Sequence, residues 1–393
     1  MKTIYAFYLA VLVALVPCCH QKQNDLPCID VKKSYPEKEI FLTDIAAITY
    51  LHLNTDDDQF LYGGTIQIIT SNAVVVLDRD TGNILFFNRD GTPKTSFNRL
   101  GNGPGEYGRP YRVFYDENKD DIFVFTFNNT ILVYSSSGEY KREITLPPGI
   151  IVDGNSIVSL DEHSLFFYDV SKAVERSMAY LENMPVNDDY ISSFYRISKV
   201  DGAILDYIEL PISPIFLGIY YDGRRIPTRY NNRLIRSIEG VLLCNPENDT
   251  VFLYGQDRSI TPVIYQTPSI SSLSPIKYIN NCVDMGRYQF MQVVTGSPGD
   301  DFPGNFPVAY YVRDKHTGEI FRQKLILPDY KGKEFIIGPS GRVSGYEEGV
   351  LFELDLLELK QAYSENRLSG KLKELVGTLK EDDNNVYVMV DFM

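Results

Sequence analysis

The sequence predicts an all-β fold, a single six-bladed β-propeller closed by its N- and C-terminal strands, with a short C-terminal amphipathic helix. Three observations carry this. A hairpin pattern occurs five times, at Ile84–Phe97, Ile131–Ile144, Tyr195–Ile208, Val251–Ile264 and Tyr310–Leu325. Each is a short apolar-aromatic run, a polar turn and a second run. Four turns carry glycine (Gly91, Gly138, Gly202, Gly318), and one runs through Gln256–Ser259. A hairpin returning every ~45–65 residues is the mark of radial repetition. Two further strand-like runs precede each hairpin, which makes four strands per unit. Finally, both ends of the chain read as strands, so the first and last segments can share a blade and remove free sheet edges.

Taken in order, the body begins near Glu39, and Ile40–Asn54 is strand-like up to the turn at Thr55–Asp58. Ile66–Ile69 and Ala73–Asp78 precede the first hairpin, and Tyr111–Tyr115 and Asp121–Thr126 the second. Ile150–Val152, Ser156–Leu160 and Leu165–Asp169 lead to the third. Leu234–Ile238 and Gly240–Cys244 precede the fourth, and Tyr278–Val283 and Tyr288–Val294 the fifth. The sixth unit is divided. Glu334–Ile337, Arg342–Tyr346 and Val350–Asp355 supply its early strands, and Asn385–Phe392 its last. Between them Leu372, Leu375, Val376 and Leu379 fall at helical spacing, which predicts a helix over Lys371–Lys380.

Residues 1–19 read as a targeting segment. Lys2 precedes an uninterrupted apolar run, Ile4–Val16, too short to span a bilayer. The run ends at Pro17-Cys18-Cys19, which resembles a bacterial lipoprotein signal, in which a cysteine becomes the lipid-modified first residue. Either Cys18 or Cys19 fits; Cys19 is preferred because proline before a cleaved bond is usually rejected. An ordinary secretory signal is the other reading. Residues 20–38 are expected to be a polar tether and residues 39–393 the propeller.

Composition narrows the partners. The chain holds 28 Tyr, 22 Phe and no Trp, suited to half-buried strands. Its net charge of −14 disfavours nucleic acid and anionic membrane surfaces. Cys28, Cys244 and Cys282 form neither a disulfide framework nor a zinc pattern. A Cys244–Cys282 bridge is open, with buried free thiols preferred. His52, His163 and His316 fall at non-equivalent places in different units, so no zinc site is expected.

Three stretches carry a resemblance to a family: Arg99–Tyr107 (RLGNGPGEY), Asn248–Phe252 (NDTVF) and Leu372–Asn384 (LKELVGTLKEDDN). With the signal and the hairpin spacing, the chain resembles the six-bladed β-propeller lipoproteins of Bacteroidota. The resemblance implies a propeller on a lipid tether and brings no catalytic residues with it.

Two loops are candidate binding sites. In the Gly-rich loop, Arg99, Glu106, Tyr107 and Arg109 can face a ligand, while the structural alternative is a tight inter-blade crossing with Tyr107 packed beneath. The G-x-G-x-x-G match at Gly103–Gly108 is not a dinucleotide site, since Pro104 lacks an N–H and a strand follows. The second loop collects Tyr220, Tyr221, Arg224, Arg225, Arg229 and Tyr230, groups that bind carboxylates or phosphates and stack on sugars. The excursion Gly296–Pro307 adds Phe302 and Phe306. No catalytic residue, metal ligand or cofactor is assigned. The expected function is non-enzymatic binding of a glycan, peptide or protein partner by a lipid-anchored outer-membrane protein, facing the periplasm or the cell surface. The alternative is a calcium-type hydrolase or lactonase with oxygen ligands around the central channel.

Overall fold

The computed structural model describes residues 26–55, 58–126, 130–181, 191–213, 233–296, 307–338 and 342–392. The described chain opens with β1 (Cys28–Asp30), β2 (Glu37–Phe41), one helical turn α1 (Leu42–Ile45) and β3 (Ala46–His52). Blade 1 is β4 (Thr65–Ile69), β5 (Ala73–Leu77), β6 (Ile84–Asn88) and β7 (Pro93–Phe97). Blade 2 is β8 (Pro110–Asp116), β9 (Asp121–Thr126), β10 (Thr130–Tyr134) and β11 (Tyr140–Thr145). Blade 3 is β12 (Val152–Ser159), β13 (Ser164–Asp169), a helix α2 (Ser171–Leu181), β14 (Ile191–Ser198) and β15 (Ile204–Pro211). Blade 4 is β16 (Leu234–Ser237), β17 (Gly240–Leu243), β18 (Thr250–Gly255) and β19 (Ile260–Thr267). Blade 5 is β20 (Ile276–Met285), β21 (Tyr288–Gly296), β22 (Val308–Asp314) and β23 (Ile320–Ile326), with β24 (Glu334–Phe335) beside it. Blade 6 is β25 (Gly349–Leu354), two helices, α3 (Leu356–Ser364) and α4 (Gly370–Thr378), and β26 (Val386–Phe392). The fold is a six-bladed β-propeller, and the five hairpins are the third and fourth strands of blades 1 to 5.

The core is a ring of layers between blades. Side chains alternate along each strand, so one strand feeds two layers. Val74 and Val76 pack toward blade 6, with Tyr387 and Met389. Val75 and Leu77 pack the other way, with Val113 and Val124 of blade 2. Phe123 and Phe125 then meet Leu165 and Phe167 of blade 3. Phe166 and Tyr168 meet Val241 and Leu243 of blade 4. This is why the second strands read as unbroken apolar runs: both faces are covered, and β5, β9, β13 and β17 are buried throughout.

Ring closure follows the expectation. β3 pairs antiparallel with β26, from Val386 opposite His52 to Phe392 opposite Ala46. Blade 6 differs from it in detail. β24 pairs with β23 and so belongs to blade 5. Residues 342–346 form no strand; Ser344 makes an isolated parallel bridge to Ile68 of blade 1. The blade therefore has the strand order β25-β26-β3. The predicted helix is α4. Its partner α3 begins at Asp355, whose carboxylate accepts from Glu358 N, and it buries Leu356, Leu359 and Ala362.

The expected tether over residues 20–38 needs correction at its C-terminal end. β1 adds in parallel to β19, with Cys28 opposite Tyr265, and β2 adds in parallel to β23, with Glu37 opposite Arg322. The physical reason is burial: Ile29, Val31 and Tyr35 join the apolar layer of blades 4 to 6. From Cys28 onward the chain is a strap on the outer rim of the body.

Candidate functional site

The innermost strands enclose a central cavity of about 570 Å³, within the size range of small-molecule sites. Four of these strands carry a register shift. In β12 it falls between Val152 and Ile157. In β4, Ile66 pairs with Val76 and Ile68 with Val75, which leaves Gln67 as an extra residue. In β20, Ile279 pairs with Val293 and Asn281 with Gln292, which leaves Asn280 over. In β8 the shift falls between Pro110 and Arg112. A bulge breaks the alternation of side chains and re-aims them. Consecutive pairs, Ile66 with Gln67 and Asn280 with Asn281, thereby line the same cavity.

The amides are linked. Asn280 Nδ2 donates to Gln292 Oε1 at 2.7 Å, Asn281 Nδ2 donates to the same oxygen, and Gln292 Nε2 donates to Tyr310 O–H at 3.2 Å. Gln67 Nε2 donates to Thr65 Oγ1 at 2.7 Å. Two acceptors remain: Gln67 Oε1 and Asn280 Oδ1 are buried with no hydrogen-bond partner among the described residues. A buried orphan acceptor costs about 1–3 kcal/mol, so such atoms mark a place where a ligand or water belongs.

The charges of the described lining residues are of one sign. Arg79, Arg112, Arg236 and Arg342 contribute, and among the described lining residues there is no Asp or Glu, although the chain has 52 acidic and 38 basic side chains. Arg342 is anchored by backbone: its Nη2 donates to Arg236 O at 2.7 Å and Glu347 O at 3.0 Å, and its Nη1 to Gly349 O. Arg236 Nη1 donates to Gly240 O at 2.9 Å, and its Nε lies 3.7 Å from Glu347 Oε1. Burial lowers the pKa of both guanidiniums, that of Arg342 to about 10, and each stays charged at neutral pH. Arg112 stands 5.4 Å from the Phe114 ring centroid. Arg79 is exposed and also lines a neighbouring cavity of about 440 Å³ together with Asp80, Leu100 and Arg109.

The sequence-predicted residues fall in three places. Arg99, Glu106 and Tyr107 come together in the crossing from blade 1 to blade 2. The Tyr107 hydroxyl donates to Gly82 O at 2.8 Å and accepts from Arg99 N at 2.9 Å. Burial raises the pKa of that phenol to about 12. Arg99 Nε donates to Gly138 O at 2.9 Å, and Glu106 Oε2 accepts from Gly103 N at 2.8 Å. Gly105 sits at φ +71°, which favours glycine. Arg109 alone turns to the smaller cavity, beside Arg79. Tyr220, Tyr221, Arg224, Arg225, Arg229 and Tyr230 lie outside the described residues, as do Cys18, Cys19, Phe302 and Phe306. Cys244 and Cys282 are free, buried thiols, the first 3.9 Å from Cys282 O, so the bridge left open by the sequence is not formed. No cluster of three or more His, Cys, Asp or Glu side chains able to hold a metal occurs among the described residues, and no described helix is long and apolar enough to cross a membrane.

Sequence reasoning missed the channel residues. The available signal was a polar residue interrupting an apolar strand: Gln67 within Thr65–Ile69, and Asn280-Asn281 within Ile276–Met285.

The family described as "Domain of unknown function (DUF4934)" matches residues 26–391. No curated protein matches the chain. Among solved structures, a Bacteroides fragilis protein described as exported is 18% identical with a TM-score of 0.60, over 93% of this chain and 99% of that one. A member of the DUF4221 family from Bacteroides vulgatus is 11% identical with a TM-score of 0.47, over 89% of this chain and 97% of that one. The first of these likenesses shows the fold.

Proposed function

The chain belongs to the DUF4934 family, and for it we propose non-enzymatic binding, with the central cavity as the ligand site. The observation that carries this is the pair of buried, unpartnered carbonyl oxygens of Gln67 and Asn280, each on the extra residue of a bulged inner strand. A closed apolar ring needs no such groups, and a ligand with donors satisfies them. The lactonase alternative calls for three or four carboxylate or amide oxygens converging at the channel; the described lining supplies the amides of Gln67, Asn280, Asn281 and Gln292, with guanidiniums rather than carboxylates beside them.

The cellular setting we propose is the envelope, with the chain exported and held by lipid at Cys19 or Cys18. The apolar run into Pro17-Cys18-Cys19 supports it, as does the exported description of the Bacteroides fragilis protein. The glycan, peptide or protein partner expected from the sequence meets this protein at the channel mouth.

The test is a thermal-shift and calorimetric screen of the purified protein against mono- and oligosaccharides and short peptides. It is repeated on Ile336→Trp, which adds bulk at an exposed lining position, and on Ser159→Trp as a second block. Ligands that bind the native protein are expected to lose affinity in both variants while the folded state survives. Undiminished binding in both moves the site away from the channel.

A further inference from the structure

We propose that the ligand of the central cavity is a neutral polyhydroxylated ring, a sugar or a cyclitol, whose hydroxyls donate to Gln67 Oε1 and Asn280 Oδ1. This rests on the channel being the binding site and specifies what enters it.

The donors follow from the two orphan acceptors. Gln67 is 7% exposed and Asn280 2%, and both line the cavity. Their amide nitrogens are engaged, with Thr65 Oγ1 and Gln292 Oε1. Their carbonyl oxygens have no hydrogen-bond partner among the described residues. The neighbouring amide of Gln292 is turned to Asn280, Asn281 and Tyr310. An amide oxygen only accepts, so whatever completes it must carry donors.

Two features make those donors neutral. Arg236 and Arg342 line the same cavity, and their charge opposes an ammonium or a metal cation at the two oxygens. Their own hydrogen bonds go to the protein. Arg342 Nη2 gives both hydrogens, to Arg236 O at 2.7 Å and Glu347 O at 3.0 Å, and Nη1 donates to Gly349 O. A carboxylate is gripped best by a forked pair of N–H groups, and with Nη2 filled Arg342 offers single donors instead. Its Nε is one of them, buried and without a partner among the described residues. Arg236 Nη1 donates to Gly240 O at 2.9 Å, and Glu347 stands 3.7 Å from its Nε.

A hydroxyl both donates and accepts, so one kind of group serves Gln67, Asn280 and Arg342 Nε. Gln67 stands on β4 of blade 1 and Asn280 on β20 of blade 5, with blade 6 between them. The donors must therefore leave the ligand in different directions, as they do from the edge of a hydroxylated ring. The apolar part of the wall, Ile66, Phe114, Val158 and Leu234, takes the C–H faces of that ring.

The experiment titrates the full folded protein by calorimetry with D-glucose, D-galactose, D-mannose and myo-inositol at millimolar concentration. D-glucuronate, calcium chloride and N-acetylglycinamide are the comparison compounds. The titrations are repeated on Gln67→Leu, which removes the acceptor, and on Gln67→Glu, which keeps one. At least one of the neutral polyols is expected to bind. Gln67→Leu is expected to weaken it about two- to tenfold, the worth of one hydrogen bond, and Gln67→Glu to weaken it less. Added salt is expected to leave its affinity unchanged, since no charge pair forms. The proposal is overturned if no polyol binds, or if D-glucuronate binds about tenfold or more tightly than the best of them, as a charge-assisted contact would give. It is also overturned if calcium chloride or N-acetylglycinamide binds as tightly as the best polyol, or if Gln67→Leu leaves that polyol unchanged. The comparison among compounds on the native protein decides the class even if Gln67→Leu does not fold. If no polyol binds but another ligand from the screen does and is blocked by Ile336→Trp, the channel remains the site and only the ligand class falls. If a polyol binds but Ile336→Trp and Ser159→Trp leave it unchanged, the channel reading falls with it.

Discussion

Tyr107 shows how one side chain joins two blades. It is fully buried, and its hydroxyl satisfies both Gly82 O and Arg99 N. Replacing it by phenylalanine keeps the ring and strands two backbone groups, a loss of about 1–3 kcal/mol. Urea unfolding of Tyr107→Phe is expected to show that loss. A change within about 0.5 kcal/mol contradicts the role. Asp314 offers a pH test. Its carboxylate accepts from Arg287 Nε at 3.0 Å and from His316 N at 2.9 Å, and the guanidinium holds its pKa down at about 2. The unfolded value is roughly 3.9. The stabilisation is therefore complete above that value and is lost as pH falls through about 2. Melting curves of Asp314→Asn are expected to show the largest deficit at neutral pH, closing in that acid window; a deficit independent of pH contradicts it.

The strap is the element whose role is most open to measurement. Ile29 is fully buried where β1 runs along β19. Ile29→Ala is expected to cost about 2–4 kcal/mol in chemical unfolding. Removal of the residues before Ile40 uncovers the β19 and β23 edges and is expected to promote self-association, visible in light scattering. An unchanged melting temperature in both variants would show the strap to be passive. Its pairing was not legible in the sequence, because partners such as Glu37 and Arg322 are remote in the chain and a three- to five-residue strand carries no record of register. The hairpins were legible because each is local: Gly91 sits at φ +89° with its face against His52 O, and only glycine suits both conditions. The helix α3 had a readable start in Asp355 and Glu358. The bulges did not, since Thr-Ile-Gln-Ile-Ile looks the same whether or not Gln67 is the extra residue.

At the scale of the molecule, an acidic chain encloses a channel whose described charged lining residues are all arginines. The crossings and turns around it supply the exposed Arg79 and Arg109, while Arg99 and Tyr107 are spent on holding the crossing together. The proposed anchor is tested here as well. Changing both Cys18 and Cys19 to Ala is expected to move the protein from the membrane to the soluble fraction on fractionation. Continued membrane association of that variant removes the lipid-anchor proposal.

The closure of the ring sets a temporal order. Asn384 Nδ2 donates to Leu53 O across 331 residues of chain, and β3 waits for β26, the last of the described strands to emerge. During N-to-C emergence β1, β2 and β3 appear first, and none has its partner strand yet. Non-local pairing of this kind is slow and leaves edges exposed meanwhile. A nascent chain halted anywhere before Val386 is thus an open arc with β3 unclaimed, and whatever escorts the growing chain has to guard that strand until β26 arrives as its mate.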